Sequence, residues 1–203
     1  MSTSKKSYEN IVKKYPLLFK HSKSSMEPFA LFGFECGIGW YHIIDKACAT
    51  LYTTYKNANW RLEYVEHDLK DFKGYVKRIQ SFQPDTTEEE LLAKLQKSKT
   101  ELTQELEEAK NNLPLVVQVK EKFATLRFYI DNGNEVSQRI ADYAEHMSSV
   151  TCEECGNVGL HYTIGWHKTL CPEHAIKRYG EKTVSEFLAQ EHELNDEKFD
   201  KTF

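Results

Sequence analysis

Four residues near the carboxyl end have the types and the spacing of a metal site. Cys152-Glu-Glu-Cys155-Gly and Cys171-Pro-Glu-His174 are pairs at C-x2-C and C-x2-H spacing, separated by fifteen residues. A first pair on a tight turn ending in Gly156 brings two thiolates to one ion, because glycine permits the turn and backbone amides can donate to the sulfurs. The second pair opens a helix, with Cys171 near the cap, Pro172 in the first turn and His174 one turn in, so thiolate and imidazole face one point. Three sulfurs and one nitrogen fill a tetrahedron with no open position, the donor set of structural and not catalytic zinc. His161 and His167 are alternative nitrogen donors to His174.

The cysteine count agrees with that chemistry. Cys36 and Cys48 lie far from the other three, the total is odd, and clustering beside His174 favours metal over disulfides in a reducing compartment. The His-His pair and asparagine that hydrolysis on such a knuckle would use are missing. A nucleophilic reading of Glu35, Cys36 and His42 lacks a third partner, so Cys36 reads as a buried thiol.

Two other clusters could bind a ligand. Gly37-Ile-Gly39-Trp40 enters a helix, and its free amides could receive an anion; the competing reading is that the glycines let Trp40 pack closely. Lys120, Lys122 and Arg127 gather with Phe123 and Tyr129, cations beside aromatic faces that suit a phosphorylated or nucleotide-like ligand. The alternative there is an ordinary solvated sheet face with its lysines paired to acids.

Several elements must position these groups. Tyr8, Ile11, Val12 and Tyr15 mark one face of a basic N-terminal helix, read as a solvated lead-in, and Phe29 to Phe34 as a short strand or aromatic loop. Ile43, Ile44, Ala47, Cys48, Leu51 and Tyr55 recur at helical spacing after the glycine turn. Leu62, Val65, Leu69, Phe72, Val76 and Ile79 step as a heptad seam, and Thr87 with Glu90 forms a capping-box pattern that opens a second helix running to Asn111. Residues 60–112 thus predict a protruding antiparallel helical hairpin, a possible route to homo-oligomers. Leu115, Val117 and Val119 share one strand face, and Leu126, Phe128 and Ile130 another. Val136, Ile140, Tyr143 or Ala144, and Met147 continue as a helix. Leu160, Tyr162 and Ile164 alternate between Gly159 and Gly165 as a hairpin would, and an acidic helix closes the chain.

The expected class is α+β: a small antiparallel sheet, helices, the hairpin, and a C-terminal treble-clef-like zinc module. The expected division is a body over residues 1–148 and a zinc module over 149–203. At 203 residues the chain can bury a core without disulfides. Its 27 basic residues against 31 acidic ones give a net charge of −4, which argues against general coating of nucleic acid. No signal region and no run of about 18 apolar residues is seen, so a cytoplasmic location and no membrane contact are expected.

The blocks FGFECGIGWYHIID, VVQVKEKFATLRFY and CEECG…GWHKTLCPEH resemble a family of small bacteriophage and bacterial proteins with a G-x-G-W helix entry, a K-x-K-F-G-x-L-R-F-Y strand and a terminal zinc knuckle. Ala124 stands where that pattern has glycine. The resemblance implies no established activity. It suggests a phage-encoded, non-enzymatic binding protein that sequesters a phosphorylated or nucleotide-like ligand, with a counter-defence role. The alternative is a module that docks a host protein or, less favoured, nucleic acid through the zinc module and helical arm.

Overall fold

In a computed structural model of the chain, residues 3–20 and 33–200 are described, with side chains over 8–20 and 33–191. The expected aromatic segment Phe29 to Phe32 and the far end of the acidic tail lie outside these limits. The class is α+β: helices and a three-stranded sheet share one core, and a second, two-stranded sheet lies near the C-terminal end.

The N-terminal helix α1 (Thr3–Lys14) is not the solvated lead-in its charge suggests. Ile11 and Tyr15 are buried, and Tyr8 meets Phe34 edge-on. Its apolar stripe has a core to cover, and burial outweighs solvation of the lysines on the opposite face. The chain then passes Leu18, whose carbonyl accepts from Val116 N, and enters β1 (Phe34–Glu35). A 3-10 turn over Ile38–Trp40 leads into α2 (Tyr41–Leu51), whose Ile43, Ile44, Ala47, Cys48 and Leu51 are all buried, as the spacing predicts.

The heptad seam is cut where the sequence pattern runs on. α3 spans Thr53–Lys70 and α4 Phe72–Gln80, with Asp71 between them at φ −104° and ψ 55°. The Asp71 carboxylate accepts the Gly74 amide at 3.2 Å as an N-cap, and a Cβ on residue 74, 2.2 Å from that carboxylate, would make the Asp71 side chain shift. The seam survives the break: Val65, Leu69, Phe72, Val76 and Ile79 pack with Leu91 and Leu95 of α5 (Glu88–Asn111). The capping box forms, Glu90 N donating to Thr87 Oγ1 and Thr87 N to Glu90 Oε2.

The three-stranded sheet is mixed, which corrects the antiparallel expectation. β1 runs parallel to β2 (Leu115–Lys122), and β2 pairs antiparallel with β3 (Thr125–Asp131). The long excursion through α2 to α5 returns the chain to β2 in β1's direction, a connection no hairpin could make. A bulge between Val116 and Gln118 also breaks the predicted alternation, so Val116 and Val119 are buried and Leu115 and Val117 only partly so. α6 (Glu135–Ser149) lies against β3, its buried Ser148 Oγ accepting from the Leu126 amide at 2.8 Å. Past it come β4 (Leu160–Tyr162), β5 (Lys168–Leu170), α7 (Pro172–Tyr179) and α8 (Glu181–Asp200). Among the described residues, no helix is long and apolar enough to cross a membrane.

Candidate metal centre

The first pair of cysteines sits on a knuckle closed by its own backbone. Cys152 N donates to Asn157 O at 2.7 Å and Gly156 N to Cys152 O at 2.9 Å, with Gly156 at φ +82°, a conformation that favours glycine. β4 and β5 pair in register, Leu160 with Leu170 and Tyr162 with Lys168, and return the chain to Cys171. Cys171 is the N-cap of α7 at ψ 163°, Pro172 occupies the first turn, and Ala175 N donates to Cys171 O. His174 therefore stands one turn into the helix, over the cap.

These elements gather Cys152, Cys155, Cys171 and His174, their ligand atoms all within 4.8 Å of one another. Two sulfurs at about 2.3 Å from one ion stand about 3.8 Å apart in a tetrahedron, and sulfur and a nitrogen at about 2.1 Å stand about 3.6 Å apart. Cys155 Sγ and Cys171 Sγ are 3.8 Å apart, and Cys152 Sγ and His174 Nδ1 are 3.6 Å apart. The Cys171 Sγ to His174 Nδ1 edge is shorter, 3.1 Å. The four could hold a metal ion, and all five cysteines are free of disulfides. His161 and His167 instead meet each other edge-on at 5.2 Å between ring centres.

The electrostatics lean the same way at the buried ligand. Burial raises the Cys152 thiol, but backbone amides of Cys171, Cys155 and Glu154 donate to it and hold it below the ordinary thiol range. At Cys155 the Asn157 amide pulls downward, yet burial and the neighbouring thiols of Cys152 and Cys171 push it up to about 11. Three adjacent thiols resist losing three protons unless a cation neutralises them, which is what a bound metal does.

The knuckle docks on the glycine turn. Gly39 N donates to Glu153 O at 2.8 Å and Gly37 N to Glu153 Oε1 at 3.0 Å, while Trp40 Nε1 donates to Thr151 O at 2.7 Å. A Cβ on Gly37 or Gly39 would lie 2.3 Å from a carbonyl oxygen of Glu153 or Cys152 respectively. The turn amides thus hold a protein carboxylate and carbonyl, and Trp40 is fully buried. The packing reading of these glycines accounts for every one of those contacts.

A second contact joins the module to the sheet. Lys168 of β5 lies between Glu153 at 2.7 Å and Glu121 of β2 at 3.3 Å, with all three side chains at most 16% exposed. The carboxylates have further donors: Ala124 N reaches Glu121 Oε1 at 2.8 Å, and Gly37 N reaches Glu153. Thr169 Oγ1 donates to Ala124 O at 2.7 Å. Sequence reasoning missed Glu121, Glu153, Lys168 and Thr169, because their partners lie 15 to 47 positions away and each looks like a solvated charge or hydroxyl in its own segment.

Cross-strand register brings Lys120, Lys122, Arg127 and Tyr129 onto the outer face of β2 and β3, since Lys120 faces Arg127 and Gln118 faces Tyr129. Lys120 Nζ lies 5.6 Å from the centre of the Tyr129 ring, and Lys122 Nζ 5.3 Å from that of Phe123. Arg127 is tied to Glu145 of α6 by an ion pair. Gly37, Gly39 and Trp40 are turned to the knuckle and do not join this face. Glu35 accepts from Gln118 Nε2, and burial, reinforced by Glu153, pushes the Cys36 thiol up to about 12, away from the thiolate a nucleophile needs. No family model, no curated protein and no solved structure matches the chain.

Proposed function

We propose that the chain is a non-enzymatic, zinc-stabilised binding protein that takes an anionic, phosphorylated ligand on the outer face of β2 and β3. The metal is zinc in a treble-clef-like module, and its role is to hold that face in place. Support for zinc is the donor set itself, three sulfurs and one nitrogen within 4.8 Å of one another with the Cys155–Cys171 and Cys152–His174 edges at tetrahedral values, leaving no position for a reacting water. Metal analysis of purified protein should return one zinc per chain, and one lost on replacing Cys171 with serine.

The observation that carries the binding reading is the tip of the β2–β3 hairpin. Phe123 is 67% exposed and held at φ +53°, a backbone region costly for a bulky residue, beside a lysine that covers its ring. An apolar ring kept in water by strained backbone is available to stack on a partner, and Lys120 and Lys122 supply charge next to it. Gly37, Gly39 and Trp40 act behind this face as supports, and Arg127, on the face itself, is held by its ion pair with Glu145. In the phage setting that the sequence blocks suggest, such a protein would withdraw a host nucleotide from circulation.

A second reading rests on the exposure of Phe123 and Tyr129: an interaction module for a macromolecule, single-stranded nucleic acid or a host protein, would also use exposed rings and lysines. Calorimetric titration of the zinc-loaded protein with mono- and cyclic nucleotides, beside a short single-stranded RNA, separates them. Saturable nucleotide binding that Lys120→Glu with Lys122→Glu weakens at least tenfold supports the first reading. RNA binding alone, falling steeply with salt, supports the second. Silence from both probes removes the hairpin face as an anion site.

A further inference from the structure

The apolar stripe predicted on α6 does not all go into the core. Ser137, Ala141, Ala144 and Ser148 are the buried positions, whereas Val136 is 65% exposed and Tyr143 64% exposed. These two, with Ile140 and Met147, line a cleft of about 560 Å3 between α6 and α2. That size is within the range of small-molecule sites, which are mostly apolar with a few placed polar groups.

The cleft owes its depth to small residues. Ile43 and Ala47 of α2 and Ala144 of α6 form its buried floor, and a larger side chain at either alanine would fill it. Its charged groups are of one sign, Lys46 on the α2 wall and Arg139 on the α6 wall, with His42 and Thr50 as further polar groups and no carboxylate among the lining residues. In a chain with net charge −4, an apolar cleft rimmed only by bases is selective for charge. Arg139 has an ion pair with Glu135 at 2.6 Å, but both side chains are at least three-quarters exposed, and water screens such i,i+4 pairs until they hold little. An incoming anion can displace Glu135. Asp45, the one acid within α2, does not line the cleft and is paired with Lys14 at 2.8 Å.

We infer that this cleft binds a free amphiphilic anion, an apolar chain or ring system carrying one carboxylate, sulfonate or phosphate head, with the apolar part on Ile43, Ala47, Ile140 and Ala144 and the head between Lys46 and Arg139. The site is separate from the hairpin face and does not depend on what that face binds. Its length favours a small ligand: from His42 to Thr50 the α2 wall spans about 12 Å at about 1.5 Å per residue.

Decanoate and 1-anilinonaphthalene-8-sulfonate are the probes, titrated by calorimetry and fluorescence into the full-length, zinc-loaded protein, with decyltrimethylammonium as the cationic control. Saturable one-to-one binding of both anions is expected, at least tenfold tighter than the cation. Lys46→Glu with Arg139→Glu, both exposed positions, should weaken decanoate at least tenfold and narrow or invert the preference for anions. Ala144→Leu should abolish binding; should that variant fold poorly, amide chemical-shift changes confined to α2 and α6 on adding decanoate to the unaltered protein serve in its place. Equal affinity for cation and anion, or indifference to the charge reversal, overturns the inference. So does binding to anionic vesicles without binding to dissolved decanoate, or a dimer in which α2 and α6 are protected from exchange. Failure of the nucleotide titrations leaves this site standing.

Discussion

The helical hairpin and the C-terminal segment each have an apolar cluster of their own, and the two clusters are built differently. In the hairpin, Tyr75, Val76, Leu91 and Leu95 are buried, flanked by Val65, Leu69, Phe72 and Ile79, and ion pairs cross between its helices at Arg61–Glu105 and Lys99–Glu66. In the module the buried set is Tyr162, Leu170, Ala175 and Val184 together with two of the metal-site cysteines. Long helices supply the hairpin with side-chain contacts along several turns, whereas strands of three residues and an eight-residue helix cannot enclose a comparable core. An ion held by Cys152, Cys155, Cys171 and His174 would cross-link the module in place of the missing apolar area, and the contrast teaches that neighbouring parts of one chain can call on unrelated physics.

Removing the metal should separate the two regions most sharply. A structural zinc site of this kind contributes on the order of 10 kcal/mol or more to the folding of its module. Chelation, or Cys171→Ser, should therefore leave the amides of residues 150–191 exchanging freely while those of α3 and α5 stay protected. Loss of protection in the hairpin to the same degree would break the comparison. The Trp40 indole, which donates to Thr151, offers a fluorescence signal for release of the module from the body.

Next in size is Lys168→Met, which leaves the carboxylates of Glu121 and Glu153 buried side by side. Breaking such a pair costs about 3–5 kcal/mol. Urea unfolding of the metal-loaded variant measures it, and Lys168→Arg should recover a good part. Burial alone would lower the Lys168 value, but the bonds to Glu153 and Glu121 raise it above the ordinary lysine range. A folded-state value above the unfolded one means that this contribution is complete below about pH 10.4 and is lost as pH rises through the folded value. Between pH 6 and 9 the difference between Lys168→Met and the parent should stay constant, and narrow above that range.

Leu95→Ala in the hairpin should cost about 2–5 kcal/mol and leave zinc affinity unchanged, because its cavity opens in a cluster that the module does not share. A competitive zinc titration checks that independence; a tenfold shift in affinity would show the two regions coupled. The smallest effect is expected at Ala124→Gly. Ala124 and Phe123 are the two central residues of the β2–β3 turn, at φ +64° and +53°. Glycine relieves about 1–2 kcal/mol of left-handed strain, offset by about 0.5–1 kcal/mol of chain entropy and by a buried methyl group, so stability should change by less than about 1 kcal/mol. Thermal unfolding at saturating zinc measures it.

Much of the metal site was legible because its signal is local. Two short spacings, a glycine after the knuckle and a proline after Cys171 specify where each ligand points before any long-range contact forms, and the same locality made the capping box at Thr87 and the end of α5 readable. Less legible was the break at Asp71, where a four-residue cap interrupts a seam that is apolar on both sides. The parallel pairing of β1 escaped notice because a two-residue strand has no periodicity to detect. The bulge at Val116 to Gln118 shifted which valines face inward, and alternation carries no sign of an extra residue.

Residue type and spacing by themselves determined the four prospective ligands, the α+β class, the paired helices and the separation of a cysteine-bearing end from an aromatic core, since each follows from backbone periodicity or from the geometry of a few adjacent residues. Only the tertiary structure decided that Gly37 and Gly39 clasp the knuckle, that Lys168 bridges two buried carboxylates, that Arg127 is tied to Glu145, and that the apolar stripe on α6 lines a basic-rimmed cleft. Those outcomes depend on which surfaces meet after distant segments have packed, and hydrogen bonds and ion pairs between residues tens of positions apart leave no pattern along the chain.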